Sequence, residues 1–218
     1  MEEITPYVIF KVLGIAVKST IVTSWIAMFL IVICIILIDK FKPVLLEMIA
    51  DFLTHLISDI MNIANAEPYL PLLGTLAIFV AVSNSIGVFP VLSSPTSDIN
   101  TPLALAIIVF FAIHYFGIRS KGIKNYIKSF TSPIFLLPLE IVGQFSRTLS
   151  LTLRLFGNVL SGELIVSIIL SLIPLFVPLP LMALSLLIGI LQAYVFTALS
   201  CVYIASAIEI TAENNQAF

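Results

Sequence analysis

Charge is scarce in this sequence: Asp, Glu, Lys and Arg supply 10% of its 218 residues, against 60% that are hydrophobic. Soluble domains run at roughly 45–50% apolar and about 25% charged, so this chain cannot cover itself with a water-facing surface. A soluble globular protein is thereby excluded, and a multi-span integral membrane protein is left; the mean hydropathy of +1.18 agrees. The net charge of −2 offers no basic footprint, so no nucleic-acid partner is expected. Cysteine is nearly absent. Cys34 and Cys201 both lie in apolar runs, which argues against a disulfide framework and against a metal site. The two histidines, His55 and His114, sit in no recognisable nucleophile pattern, which disfavours an intramembrane hydrolase. No glycine-rich phosphate loop is present, so no nucleotide chemistry and no cofactor are implied. The opening "MEEITPYVIFKVLG" lacks a basic stretch followed by a small-residue cleavage site, so no removable signal peptide is expected.

What is present is a series of charge-free runs, and a helix needs about 20 apolar residues to cross roughly 30 Å of hydrocarbon. Residues 19–38, 69–89 and 102–118 meet that requirement. Pro138 and Pro174 then bracket a proline-free stretch of about 35 residues, about 52 Å of helix at 1.5 Å per residue. Such a helix either breaks or crosses obliquely. After the turn at Pro174, Pro178 and Pro180, residues 181–208 form another long apolar helix, so 139–173 and 181–208 are expected as a strongly tilted hairpin. The expected fold is all-α and membrane-integral, with about five crossings in a single domain.

Basic residues orient it, because cytoplasmic loops are enriched in Lys and Arg. Lys40, Lys42, Arg119, Lys121, Lys124 and Lys128 flank the ends of the first and third spans on one side, against Lys11 and Lys18 on the other. The N-terminus is expected outside and the C-terminus in the cytoplasm. Residues 47–63 do not span: Glu47, Asp51, His55, Ser58 and Asn62 recur at three to four residues, the stripe of an amphipathic interfacial helix. The polar face is acidic where lipid-surface helices usually carry Lys and Arg, so the bilayer surface and a partner protein are both open.

The sharpest feature is Arg154, near the middle of the long helix, where an arginine costs roughly 2.5–3.5 kcal/mol. Arg147, nearer the helix start, is explained by snorkelling; Arg154 is not. Glu163 lies nine residues on, about 180° around the helix and about 13.5 Å along it, so the two cannot pair. Glu140 is fourteen residues back, on nearly the same face but about 21 Å away. A carboxylate toward each end with a guanidinium between them suits ions that reach a central site from two sides. Asn84, Ser85, Asp98, Asn100 and Gln192 could line a wet path, or simply hydrogen-bond between helices, worth about 0.6 kcal/mol each.

"LSLTLRLFGNVLSGELI", with "ILQAYVFTALSCVYIASAIE" in the next helix, closely resembles subunit a of F-type ATP synthases. "NSIGVFP", "PTSDINTPLALA" and "LIPLFVPLPLM" extend the resemblance over most of the chain. It implies a rotary-motor stator with two ion half-channels, in which Arg154 matches the essential arginine, Asn158 the asparagine one turn on, Glu163 the channel glutamate and Gln192 the glutamine of the last helix. Glu140 matches the acidic residue of the cytoplasmic half-channel, and Asn84 and Asp98 fall on the external path. Ser185 stands where many relatives have histidine, and Gly87 where some have aspartate, so the outer half-channel is expected to relay ions differently. The implied partners are a ring of c subunits, the peripheral-stalk b subunits, the remaining synthase subunits, the lipid bilayer and a translocated H⁺ or Na⁺. The implied location is the bacterial inner membrane, or alternatively the thylakoid; the implied role is non-catalytic. The rival readings are a passive scaffold and a secondary transporter, although the internal repeat expected of the latter is not evident.

Overall fold

In the computed structural model, residues 8–12, 15–88, 93–126, 137–173 and 176–215 are described, with side chains over 18–88, 93–126, 138–173 and 176–208. Helix α1 (Ser19–Phe41) contains neither proline nor glycine, and Lys40 in its last turn complements the negative end of the helix dipole. It stops at Lys42, whose N–H reaches Ile38 O at 2.7 Å, and Pro43 begins α2 (Pro43–Met61) at a position where a missing N–H costs nothing. Helix α2 ends at Asn62, which takes the left-handed conformation (φ 52°) while Ser58 Oγ donates to Ile63 O at 2.6 Å. Next come α3 (Leu70–Ile86), a 3-10 turn at Pro95–Ser97, α4 (Asn100–Lys121), α5 (Leu137–Leu172) and α6 (Pro178–Asn215).

Helices α1, α4, α5 and α6 are long and apolar enough to cross a membrane, while α3 has 17 residues, about 25 Å of helix. The third of the sequence-derived crossings thus matches α4, and the second is shorter than its expected 69–89; Phe89 lies outside the described residues. The long segment does not break. Its 36 continuous residues measure about 54 Å, longer than the roughly 30 Å of a hydrocarbon core. Helix α6 also outruns its expected end at 208 by a further seven residues. Pro174, expected in the turn, lies outside the described residues, as does Lys128.

One element was not expected. Val8–Val12 and Ile15–Lys18 pair as a short antiparallel β-hairpin with Phe10 opposite Val17 and Lys11 opposite Ala16, so the all-helical bundle carries a two-stranded cap on its first helix. The core lies where α3 and α6 pack most extensively, with α4 and α5 closing on them. Leu73 and Val80 of α3, Val109 and Ile113 of α4, Leu151 and Leu155 of α5, and Phe196 and Ile204 of α6 meet there, with Ile57 and Met61 of α2 beneath. Around this core the outer wall is apolar: Phe29 and Ile36 of α1, Phe111 of α4 and Leu172 of α5 are each 60% or more exposed, as a lipid-solvated surface allows. Only the first half of α1 is packed, through Ser19, Thr20, Thr23 and Ala27. Helix α2 keeps Glu47, Asp51, His55 and Asp59 exposed, interleaved with exposed Val44, Met48 and Phe52, and turns Ile57 and Met61 inward.

Candidate functional site

On α5 the buried positions Leu151 and Leu155 turn one face into the core, which leaves Ser150, Leu153, Arg154, Gly157, Asn158 and Ser161 on the outer wall. Arg154 is exposed, and no residue among those described makes a hydrogen bond or ion pair with it. On α6, Leu184, Leu187, Leu191 and Tyr194 recur at three to four residues and are each about half exposed. The exposed face of α6 is thus apolar, whereas that of α5 is made mostly of small and polar residues around Leu153 and the permanent charge of Arg154. Arg147 is accounted for differently: its guanidinium lies over the Tyr203 ring, 5.5 Å from the centroid.

One turn after Arg154, Asn158 Nδ2 donates to Gln192 Oε1 at 2.7 Å and ties α5 to α6 at this level. Gln192 is buried, and its Nε2 has no hydrogen-bond partner among the described residues. Behind the pair lies a small cleft with room for about one water, lined by Asn84, Asn158, Glu163, Ser185 and Gln192 together with Gly87 and Gly189. At its edge α3 and α6 approach closely at Gly189, where an added Cβ would come within 3.0 Å of Asn84 Cβ.

Glu163 Oε1 accepts from the Ser94 backbone N–H at 2.7 Å. Gly87 lies against the same atoms: a Cβ there would sit 2.7 Å from Glu163 Oε1 and 2.7 Å from Ser94 Cβ. From this point a buried hydroxyl network runs inward. Ser94 Oγ donates to Ser83 O at 2.8 Å and lies 2.7 Å from Thr96 Oγ1, which donates to Asn84 Oδ1 at 2.6 Å. Asn84 Nδ2 donates in turn to Gly189 O at 2.8 Å.

Of the eight sequence-selected residues, the cleft gathers Asn84, Asn158, Glu163, Ser185 and Gln192, with Arg154 one turn from it on α5. Asp98 and Glu140 are elsewhere. Asp98, 6% exposed, is clamped by Lys18 Nζ at 2.8 Å and Thr20 Oγ1 at 3.3 Å on one oxygen, and by the Asn100 N–H and Nδ2 at 3.2 and 2.9 Å on the other. Burial raises its carboxyl pKa, but the Lys18 hydrogen bond, the Asn100 amide, the Lys18 charge and Thr20 together outweigh that and leave it below the ordinary 3.8. Glu140 Oε1 accepts from buried Gln144 Nε2 at 3.4 Å. Burial, and then the Glu140 charge, push the Tyr126 phenol above its usual range.

Sequence reasoning passed over Ser94, Thr96 and Lys18. The run of hydroxyl residues in "SSPTSD" was the available signal, since Ser and Thr beside proline favour capped turns. Nothing local marked Lys18, whose partner is 80 residues away.

Against known proteins, the family model described as "ATP synthase A chain" matches residues 17–205. A Bradyrhizobium protein named ATP synthase subunit a 2 is 43% identical over 215 residues, 95% of this chain and 96% of its own. A Picosynechococcus protein of the same name is 41% identical over 217 residues, 94% of this chain and 93% of its own. ATP synthase subunit a of Nitrosospira multiformis is 45% identical over 171 residues, 78% of this chain and 68% of its own.

Proposed function

The chain belongs to the ATP synthase A chain family, and from that premise we propose that it is the stator of the membrane motor, with Arg154 as the fixed charge that couples ion flow to rotation of a c-subunit ring. The observation that carries this reading is the exposed Arg154 guanidinium on the outer face of α5, without a partner among the described residues. Inside a bilayer such a group needs an anionic partner, and its own subunit provides none among the described residues.

The chemistry follows from the cost of charge. A ring carboxyl facing lipid must be neutral, because an isolated carboxylate in hydrocarbon is heavily penalised. Beside a guanidinium the ionised form is favoured. Arginine stays protonated at any relevant pH, so it cannot carry the proton itself. A ring site therefore releases its ion into one half-channel before it passes Arg154 and loads from the other afterward.

The cleft of Asn84, Glu163, Ser185 and Gln192 serves as the inner end of the outer half-channel, with Asp98 toward its mouth. Asn158 holds Gln192 beside the arginine, and Glu140 with Gln144 marks the cytoplasmic half-channel. The drive is about 2.3 kcal/mol per charge per 100 mV of membrane potential. The subunit forms no covalent bond; b subunits and the rest of the synthase hold it against the ring. The Lys and Arg distribution supports an outside N-terminus and a cytoplasmic C-terminus in a bacterial inner membrane.

The test is Arg154→Ala in the whole synthase, assembled in sealed vesicles under an imposed ion gradient. The expected result is an assembled complex that no longer makes ATP from the gradient. Normal ion-driven synthesis by that variant removes the reading, and with it the distinction from a passive scaffold.

A further inference from the structure

We infer that Lys18 and Asp98 are positioning residues for Glu163, acting through the Ser94 amide; the inference rests on the half-channel reading above.

Glu163 receives its hydrogen bond not from a helix but from the short segment that enters the 3-10 turn, so its carboxylate is only as well placed as that segment. The segment is fixed at both ends. Its inner end is held by Ser94 Oγ on Ser83 O and Thr96 Oγ1 on Asn84 Oδ1, with Ser94 and Thr96 both fully buried. Ser97 Oγ closes the turn onto Ser94 O at 2.8 Å, and Pro95 restricts the backbone between them. Its outer end is Asp98, clamped by four donors divided between its two oxygens. A carboxylate so fully engaged is poorly suited to release and load ions, but well suited to anchor a turn.

The anchor itself is Lys18, the last residue of the β-hairpin, whose side chain is 37% exposed while Asp98 is buried. The pair thus fastens the hairpin and the start of α1 to the turn that presents its amide to Glu163. Removing either charge leaves the other without its partner and frees the outer end of the turn, at a residue four positions from the amide that matters.

The test uses the whole synthase in sealed vesicles, with H⁺ or Na⁺ supplied from the outer or the inner face and flux expressed per assembled complex. Lys18→Gln is expected to raise the half-saturating ion concentration at the outer face about tenfold, the factor that about 1.4 kcal/mol carries, and to leave the inner-face value unchanged. Lys18→Arg is expected to recover most of the outer-face affinity. Adding Asp98→Asn to Lys18→Gln should cost nothing more, and neither change should matter once Glu163→Gln is present. Equal losses at both faces, effects additive with Glu163→Gln, or normal affinity per complex overturn the inference. Should the single variants assemble poorly, the exchanged pair Lys18→Asp with Asp98→Lys decides: recovery of assembly and outer-face affinity supports positioning, and recovery of assembly alone overturns it. Arg154→Ala in the same vesicles separates the two levels. If it uncouples while Lys18→Gln behaves as the parent, the positioning role falls and the half-channel reading stands; if it synthesises normally, the half-channel reading falls.

Discussion

Asn158 Nδ2 donates to Gln192 Oε1 at 2.7 Å across 34 positions of sequence, joining α5 to α6 one turn beyond Arg154, which has no partner among the described residues. As a structural bond it is cheap, since hydrogen bonds between membrane helices average about 0.6 kcal/mol. As part of an ion path it matters far more.

The two roles separate in Gln192→Leu. The expected outcome is near-normal recovery of the assembled complex, because only about 0.6 kcal/mol is at stake, with ion-driven ATP synthesis down by about tenfold or more, equivalent to about 1.4 kcal/mol in the barrier. Purification yield and synthesis rate on one preparation check it. Equal losses in both would make the pair a mere structural tie.

Gly87→Ala tests the close approach. The backbone at Gly87 (φ −65°, ψ −9°) suits alanine, and on that ground alone the change would stabilise by about 0.4–1 kcal/mol. The side-chain contact decides the sign instead: the new Cβ would lie 2.7 Å from both Glu163 Oε1 and Ser94 Cβ. Ion flux from the outer face is expected to fall several-fold while flux from the inner face is retained. Unchanged outer flux would show that Glu163 works without the Ser94 amide.

Arg154→Lys keeps the charge and discards the planar fork. An ammonium is a compact, strongly hydrated charge that loses its proton more readily when desolvated, so it gates passing carboxyl groups less faithfully. The expected result is synthesis between that of the parent and Arg154→Ala, accompanied by a gradient leak absent from the parent. Simultaneous measurement of synthesis and leak provides the check, and parental coupling in the lysine variant would reduce the arginine to any fixed positive charge.

The clamp at Asp98 has a pH signature. Its carboxyl lies below the ordinary 3.8 in the folded chain, so the stabilisation is fully present above that ordinary value and is lost as pH falls through the lower folded value. Amide hydrogen exchange of residues 93–100, corrected for intrinsic rates, should be flat from neutral pH to about 5 and rise only below about 4. Loss of protection near pH 6 would contradict the clamp.

These expectations draw unequally on sequence and structure. The crossings were legible because length and apolarity are local properties, and the amphipathic α2 because its period is local too. Arg154 was legible for the opposite reason: a guanidinium among apolar residues is conspicuous without any fold. The cleft was only half legible. Asn84, Glu163, Ser185 and Gln192 could be picked by matching residues, yet that Ser94 serves Glu163 across 69 positions is a tertiary fact. Gly87 stood out as a departure from relatives, but only the packing shows that the space of its missing side chain is taken by Glu163 and Ser94. The β-hairpin escaped because five- and four-residue strands are too short to declare themselves beside long apolar helices. Asp98 shows the reverse: its residue type suggested a channel group, and nothing local announced that four donors hold its carboxylate.

A subunit that carries a bare guanidinium on its outermost surface is ill-equipped for solitary life in a bilayer. Left as an orphan, it must drag water and headgroups inward around Arg154 or suffer an insertion penalty of roughly 2.5–3.5 kcal/mol. Under the proposed function, a rotor carboxylate supplies the counter-charge only once both are side by side. On that reading, the residue proposed to serve the finished machine also makes the unassembled subunit costly to keep in a bilayer.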